Sequence, residues 1–149
     1  MRRYEIEDSL SLASETAVAY RQNTALKDLM QFDGINNAKI PGATLDDVIT
    51  LTSLTVIELS EIIEISKPNY YRKRQEDQLD LKTIDKLASL IQLYDQGQSA
   101  FGSIKDFNRW LSQENLHLGN LTPKLYLKTE QGRKKLHQAI GRVEHGLYG

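Results

Sequence analysis

The sequence predicts an all-α protein, and three observations lead to this fold class. Apolar residues recur three and four positions apart along most of the 149 residues, which is the spacing of one helix face. No segment alternates apolar and polar residues as a half-buried strand does. Residues that cap helix N-termini precede several of the periodic segments, and Gly or Asn follows some of them. The hydrophobic share of 40% is enough to bury a core.

The first part of the chain predicts several short helices. A loose apolar pattern over residues 9–31 indicates one or two weak helices, and residues 32–44 have the composition of a linker. A short helix is expected at residues 44–52. Thr55 and Glu58 then form the sequence signature of a capping box, which starts a further helix. We expect its apolar stripe to be buried and its acids to face water: Val56, Leu59, Ile62 and Ile63 in the stripe, and Glu58, Glu61 and Glu64 on the wet face.

A second helix follows directly and gives residues 55–75 the proportions of a helix-turn-helix. Ser66 is expected to cap it, and Pro68 suits a first turn, where a missing N–H costs little. In this motif the second helix enters the major groove of DNA, where Arg suits guanine edges and Asn suits adenine edges. The candidate DNA-binding residues are Ser66, Lys67, Asn69, Tyr70, Tyr71, Arg72, Lys73 and Arg74. A basic, solvated helix in an ordinary helical bundle is the alternative. Glu64 stands where such turns often have glycine, so a different turn or modest strain is expected.

The second half of the chain predicts four more helices. A long one begins at Leu81 and is expected to end at Gly97 in the left-handed conformation. Ser103 is expected to cap a helix that places Trp110 in the core. A short helix opens at Thr122, and Thr129 caps the last helix. The apolar stripe of that last helix consists of Leu136, Ala139, Ile140, Val143 and Leu147.

The formal net charge of −1 conceals an asymmetry between the two halves. Residues 1–64 carry five basic and eleven acidic side chains, a balance of −6, whereas residues 65–149 carry fourteen and nine, a balance of +5. We therefore expect the acidic residues 44–64 to face away from DNA. A basic surface opposed by little more than Glu130 and Glu144 is expected from Lys124, Lys128, Arg133, Lys134, Lys135 and Arg142.

Several classes of protein are excluded by what the sequence lacks. It has no cysteine, and therefore no disulfide, cysteine nucleophile or Cys-based zinc site. No apolar run approaches the roughly 18–20 residues that span a bilayer, and no secretory signal is present, so a cytoplasmic protein is expected. His137 and His145 would lie about 12 Å apart on a helix, too far to share a metal ion. No phosphate-binding loop or nucleophile–base pair indicates an enzyme, and no cofactor is expected.

Beyond these patterns, residues 39–149 resemble the Xre-type antitoxins of the RES–Xre toxin–antitoxin systems. The resemblance lies in Lys39-Ile40-Pro41, Ile65-Ser66-Lys67-Pro68-Asn69-Tyr70-Tyr71-Arg72, Phe107-Asn108-Arg109-Trp110-Leu111, the stretch from Asn115 to Pro123, Lys128-Thr129-Glu130-Gln131-Gly132, and the stretch from Gly141 to Tyr148. Two positions depart from the family pattern. Glu114 replaces a frequent proline, and Asn120 replaces a second glycine, although Asn can still adopt a positive φ.

The resemblance implies a helix-turn-helix domain at 39–98 and a C-terminal toxin-binding domain at 99–149. Residues 1–38 lie outside the resemblance, and we expect a weakly helical N-terminal segment there that is either poorly ordered or dimerising. It implies a homodimer that represses its own operator DNA and occludes a RES-domain toxin that consumes NAD⁺. The toxin-binding residues would be Arg133, Arg142, Glu144, His145, Leu147 and Tyr148. The alternatives are a DNA-binding transcriptional regulator with a different protein partner or none, and an interaction protein that has lost DNA binding.

Overall fold

The computed structural model describes residues 23–35 and 38–146, and these residues form helices joined by short loops. The described part of the chain contains no strand, only an isolated bridge between Asn115 and Leu121. The all-α class is therefore confirmed. In order, the helices are α1 (Thr24–Gln31), α2 (Thr44–Thr52), α3 (Val56–Ile62), α4 (Lys67–Lys73), α5 (Leu81–Phe101), α6 (Ile104–Leu111), a first 3-10 helix (Leu116–Leu118), a second 3-10 helix (Pro123–Lys128) and α7 (Glu130–Glu144).

The long helix α5 lies at the centre of the fold, and α1, α6 and α7 pack against it. Its side chains Leu87, Ile91 and Tyr94 have no exposed surface. The Gln92 amide on α5 donates to two backbone carbonyls at the end of α1, which ties the first described helix to the core. One cluster of buried side chains contains residues from all three predicted segments, and α5 continues through the predicted boundary between residues 98 and 99.

Four predicted N-caps are confirmed by hydrogen bonds from the first turn of each helix to the capping side chain. Each such cap typically stabilises a protein by about 1 kcal/mol. The acceptors are Thr55, Ser66, Ser103 and Thr129. Of the weak helices predicted over residues 9–31, the part at Thr24–Gln31 is confirmed, and residues 9–22 lie outside the described residues.

The end of α5 differs from the prediction, because Gly97 lies inside the helix. A Cβ at position 97 would lie 2.5 Å from the Phe107 ring, so glycine is needed there for the close approach of α6. The helix ends one turn later at Gly102, which adopts the left-handed conformation with φ of 90°. The local sequence pattern cannot show which of the two glycines ends the helix, because this depends on which one packs against Phe107.

Candidate functional sites

The segment from α3 to α4 is a pair of short helices joined by a tight turn. At the start of α3, Thr55 and Glu58 form the predicted capping box through reciprocal bonds of 3.0 and 3.1 Å. Between the helices, the N–H of Ile65 donates to the Ser60 carbonyl and the N–H of Glu64 to the Glu61 carbonyl. These two bonds form a Schellman motif, which satisfies the last carbonyls of α3.

Glu64 occupies the left-handed position of this turn, with φ of 58°. Glycine is the usual residue there because a Cβ disfavours the left-handed backbone, so Glu64 adopts the conformation in which the strain expected from the sequence would arise. The Glu64 carboxylate accepts a hydrogen bond from Lys86 on α5. This ion pair lowers the pKa of Glu64 and holds the turn against the central helix.

The inner face of α4 is anchored to the core by Tyr70, which has no exposed surface. Its hydroxyl donates to Asp46 of α2 at 3.1 Å, and burial next to that carboxylate raises the pKa of the tyrosine. At the end of α4 the backbone of Gly42 lies so close that a Cβ would be 2.0 Å from the Lys73 carbonyl oxygen. Tyr70 was predicted to contact DNA, but the structure places it in the core, so its role is to position α4.

The outer face of α4 carries the remaining predicted DNA-binding residues except Lys73. Ser66, Lys67, Tyr71, Arg72 and Arg74 are exposed, and Asn69 is half-buried. The Arg74 guanidinium lies 5.1 Å from the centre of the Tyr71 ring, a cation–π contact. We call this face, defined by Ser66, Lys67, Asn69, Tyr71, Arg72 and Arg74, the α4 outer face.

Two polar side chains of this face are already paired with each other. Arg72 donates to the Asn69 side-chain carbonyl at 2.6 Å. A bidentate contact of Asn with adenine uses both atoms of the side-chain amide, so Asn69 would have to release Arg72 to make it. The predicted DNA-binding residue Lys73 has a different partner, because it pairs with Asp80 at 2.8 Å and its side chain is only 19% exposed.

The sequence predicts that the acids of α3 face water, but two of them form ion pairs instead. The second 3-10 helix packs against α3 and brings Lys124 within 2.6 Å of Glu58, and Lys128 within 3.0 Å of Glu61. Burial by itself would raise the pKa of Glu58, but the Lys124 ammonium and the Thr55 N–H outweigh it and lower that pKa. The expected basic surface is therefore partly neutralised, since two of its lysines are bound to α3.

Arg133 was predicted to contact a toxin, yet it is only 5% exposed. Its Nε donates to the Ser89 hydroxyl on α5 at 2.8 Å, and its Nη1 donates to the Leu127 carbonyl at 2.7 Å. Burial lowers the pKa of the guanidinium. In this position Arg133 joins α7 to α5 and to the second 3-10 helix.

The other predicted toxin-binding residues lie at or beyond the end of α7. Arg142 is half-buried, while Glu144 and His145 are exposed. Gly146 follows with φ of 70°, a turn where glycine is favoured. Leu147 and Tyr148 lie outside the described residues.

Arg142 lines a groove of about 270 Å³ between α6, the first 3-10 helix and α7. Trp110 forms one wall of it, although the sequence analysis placed this side chain in the core. The Trp110 ring does stack on Phe107, with 6.0 Å between ring centres, but part of it remains accessible in the groove. We call this feature the Trp110 groove; it is lined by Trp110, Gln113, Glu114, Asn115, Leu116, His117, Ala139, Arg142 and Val143.

Neither a metal centre nor a membrane span is found where the structure describes the chain. Residues 23–35 and 38–146 contain no group of three or more His, Cys, Asp or Glu side chains that could hold a metal ion. Within the same ranges, the helices are too short or too polar to cross a bilayer.

Comparison with known proteins identifies one segment of the chain. Residues 96–146 match the family described as the antitoxin Xre/MbcA/ParS C-terminal toxin-binding domain. The matched range begins near the end of α5 and contains α6, both 3-10 helices and α7, and thus the whole Trp110 groove. No curated protein matches the chain. The family match supports an antitoxin role in a toxin–antitoxin system, with a toxin as partner.

Proposed function

We propose that the chain is the antitoxin of a type II toxin–antitoxin system that binds and occludes a RES-domain toxin, and that it represses its own operon. The match of residues 96–146 to an antitoxin toxin-binding domain carries the first part of this proposal. The resemblance of the chain to Xre-type antitoxins supplies the RES toxin as the specific partner. The antitoxin acts in the cytoplasm by occlusion, without catalysis and without a cofactor.

The toxin-binding part is tested by co-expression with the RES-domain protein of the same operon. An affinity-tagged chain is expected to co-purify with the toxin and to relieve the growth arrest and NAD⁺ loss that the toxin causes. Deleting residues 144–149 is expected to restore toxicity while leaving DNA binding intact. A truncated chain that still protects cells fully would show that these residues do not contact the toxin, and a toxin that never co-purifies would contradict the function itself.

Autorepression through a helix-turn-helix is supported by the α4 outer face. A capped helix, a Schellman turn and a second capped helix present Lys67, Arg72 and Arg74 to solvent next to a half-buried Asn69. These side chains are of the types that bind phosphates and base edges. The acids of α3 are held by lysines, so they do not repel DNA as free charges would. The operator complex would contain a homodimer.

The DNA-binding part is tested by fluorescence anisotropy with the upstream DNA of the operon over a series of salt concentrations. Each phosphate contact contributes about −0.9 to the slope of log K against log salt, so replacing Arg72 and Arg74 by Ala should make a dimer's slope less negative by about 3.6. Replacing the exposed Lys105 and Lys134 by Ala is the matched control and should leave the slope unchanged. Equal slopes for the two double variants would place the phosphate contacts elsewhere.

A transcriptional regulator with a different protein partner or none is the second candidate. The α4 outer face favours it, because this surface does not depend on the identity of the C-terminal domain. The two candidates are separated by testing one preparation for both activities. DNA binding without any binding to the RES-domain protein supports the regulator, whereas toxin binding without DNA binding supports an interaction protein that has lost its operator.

A further inference from the structure

We propose that the Trp110 groove is the anchor point of the toxin, and that it receives an apolar side chain of the toxin with a carboxylate beside it. This inference rests on the proposed function, because it specifies the chemistry of the partner at the toxin-binding domain. It adds residues that neither the family match nor the sequence analysis assigns to toxin binding, namely Trp110, Leu116 and Val143.

The size of the groove points to a side chain as its occupant. Its volume of about 270 Å³ lies below the roughly 300–1,000 Å³ of typical small-molecule sites. Its lining is mixed: five of the nine residues are polar or charged, and Trp110, Leu116, Ala139 and Val143 supply the apolar part. A toxin side chain of the size of Leu or Phe would bury this surface together with its own, which is the main source of affinity at the centre of an interface.

Leu116 is held in an exposed position by the structure around it. It is 77% exposed, whereas Leu118, two residues along the same 3-10 helix, is 6% exposed. The turn is fixed by the Asn115 side chain, which accepts from the His117 N–H at 2.9 Å, and by the Tyr126 hydroxyl, which donates to the Leu118 carbonyl at 3.1 Å. The apolar side chain is therefore presented in a defined geometry, and a partner need not order the loop when it binds.

Arg142 supplies the polar part of the recognition. No carboxylate lies within 4 Å of it among residues 23–35 and 38–146. Arg donates in a planar fork that fits a carboxylate with two parallel hydrogen bonds. Trp and Arg are also the residue types most enriched among those that dominate binding at interfaces. The partner's carboxylate would thus meet Arg142 while the neighbouring apolar side chain contacts Trp110.

Glu114 also lines the groove, and its negative charge determines on which side a carboxylate of the toxin can bind. It makes no ion pair with Arg142 within 4 Å, so a carboxylate of the toxin must bind on the Arg142 side to avoid repulsion. Replacing Glu114 by Gln removes that repulsion, and since exposed charge pairs are worth about 0.2–1 kcal/mol, it should tighten binding about 1.4-fold to fivefold.

The chain has a single tryptophan, which allows the groove to be observed directly. The full chain labelled with 5-fluorotryptophan gives one ¹⁹F resonance, and it is titrated with unlabelled, catalytically inactive RES-domain protein of the operon. That resonance is expected to shift on binding. Leu116→Asp and Arg142→Glu are each expected to weaken binding at least about tenfold, the effect typical of an interface anchor.

Matched controls carry the same chemical changes outside the groove. Leu81→Asp alters another exposed leucine, and Lys82→Glu reverses an exposed charge outside residues 96–146; both should bind within about twofold of the unaltered chain. Circular dichroism and thermal unfolding confirm that each variant is folded. Removing residues 147–149 should leave the ¹⁹F resonance of the free chain unchanged, whereas a shift would show that the chain's own end fills the groove and would overturn the inference.

The inference and the proposed function fail in different ways. If the unaltered chain binds the toxin but the resonance does not move, or if both groove variants bind normally, the groove is not the anchor and the antitoxin role remains. If the unaltered chain does not bind the toxin at all, both the inference and the proposed function are overturned.

Discussion

Helices α3 and α4 are neighbours of seven residues each, both begin with a side-chain cap, and yet their charges are used in opposite ways. The acids of α3 are bound by Lys124 and Lys128, which attach this helix to the C-terminal part of the chain. The α4 outer face keeps Lys67 and Arg72 exposed to solvent. Whether the charged side chains of a helix hold the fold together or stay available for a partner therefore depends on what packs against that helix. The charges in the sequence do not show which of the two applies.

The largest change in stability is expected when a buried tyrosine of α4 is replaced, and the adjacent exposed tyrosine provides the comparison. Tyr70→Ala removes a fully buried ring and its bond to Asp46 and should lower the free energy of unfolding by about 3–5 kcal/mol. Tyr71→Ala, the adjacent exposed ring, should lower it by less than about 1 kcal/mol and should weaken DNA binding instead. Urea unfolding and anisotropy with operator DNA measure both quantities. Similar losses of stability for the two variants would contradict the division of α4 into an anchored face and a binding face.

The next effect concerns the turn that joins α3 to α4. Glu64→Gly relieves the left-handed strain and loses the ion pair with Lys86, whereas Glu64→Ala loses the ion pair and keeps the strain. The Gly variant is therefore expected to melt about 2–4 °C above the Ala variant, as measured by differential scanning calorimetry. Equal melting temperatures would show that the backbone at this position is not strained.

A smaller effect is expected from the ion pair that closes the end of α4. Hydrogen bonds from Lys73 and Thr83 lower the pKa of Asp80 from 3.8 to about 2. A carboxylate with a lowered pKa stabilises the fold above its ordinary pKa, and this contribution is lost as the pH falls through the lowered value. The unaltered chain should therefore exceed Asp80→Asn in stability at pH 5, with the difference shrinking towards pH 2. Urea unfolding at several pH values tests this, with the exposed Asp77→Asn as the control. A difference that stays constant with pH would contradict the assignment.

The smallest effect is expected from the pairs that hold α3. A double-mutant cycle of Glu58→Gln and Lys124→Gln should give a coupling free energy of about 0.5 kcal/mol, because both side chains are partly exposed. Gln at position 58 keeps the capping box, so the cycle isolates the charge interaction. The same cycle with Arg72→Gln in place of the lysine change should give no coupling. Coupling of equal size to Arg72 would mean that α3 and α4 share one charge network.

Local features of the sequence were sufficient for most of the helices. Thr55, Ser66, Ser103 and Thr129 act within one turn of the chain, so their caps could be predicted from neighbours three positions away. The left-handed turn at Glu64 is recognised from equally local features, namely the end of one apolar stripe and the cap of the next helix. These features need no knowledge of the tertiary structure.

Features that depend on distant parts of the chain could not be predicted in this way. The pairing of Glu58 with Lys124 joins residues 66 positions apart, and the need for glycine at position 97 arises only when Phe107 packs there. The burial of Arg133 likewise depends on Ser89, far away in sequence. The Trp110 groove could not be predicted, because an aromatic residue on the apolar face of a helix is expected to be buried. Only the tertiary structure shows that part of the Trp110 ring is accessible.

In the function that we propose, the chain neutralises a RES-domain toxin through its C-terminal domain, independently of DNA. This function is tested most directly by measuring NAD⁺ consumption by the purified toxin while the chain with Arg72→Ala and Arg74→Ala is added. We expect consumption to fall with increasing amounts of this variant and to stop at saturation, as it does with the unaltered chain. If NAD⁺ consumption continued undiminished in a saturating excess of the unaltered chain, the chain would not be the antitoxin of this toxin.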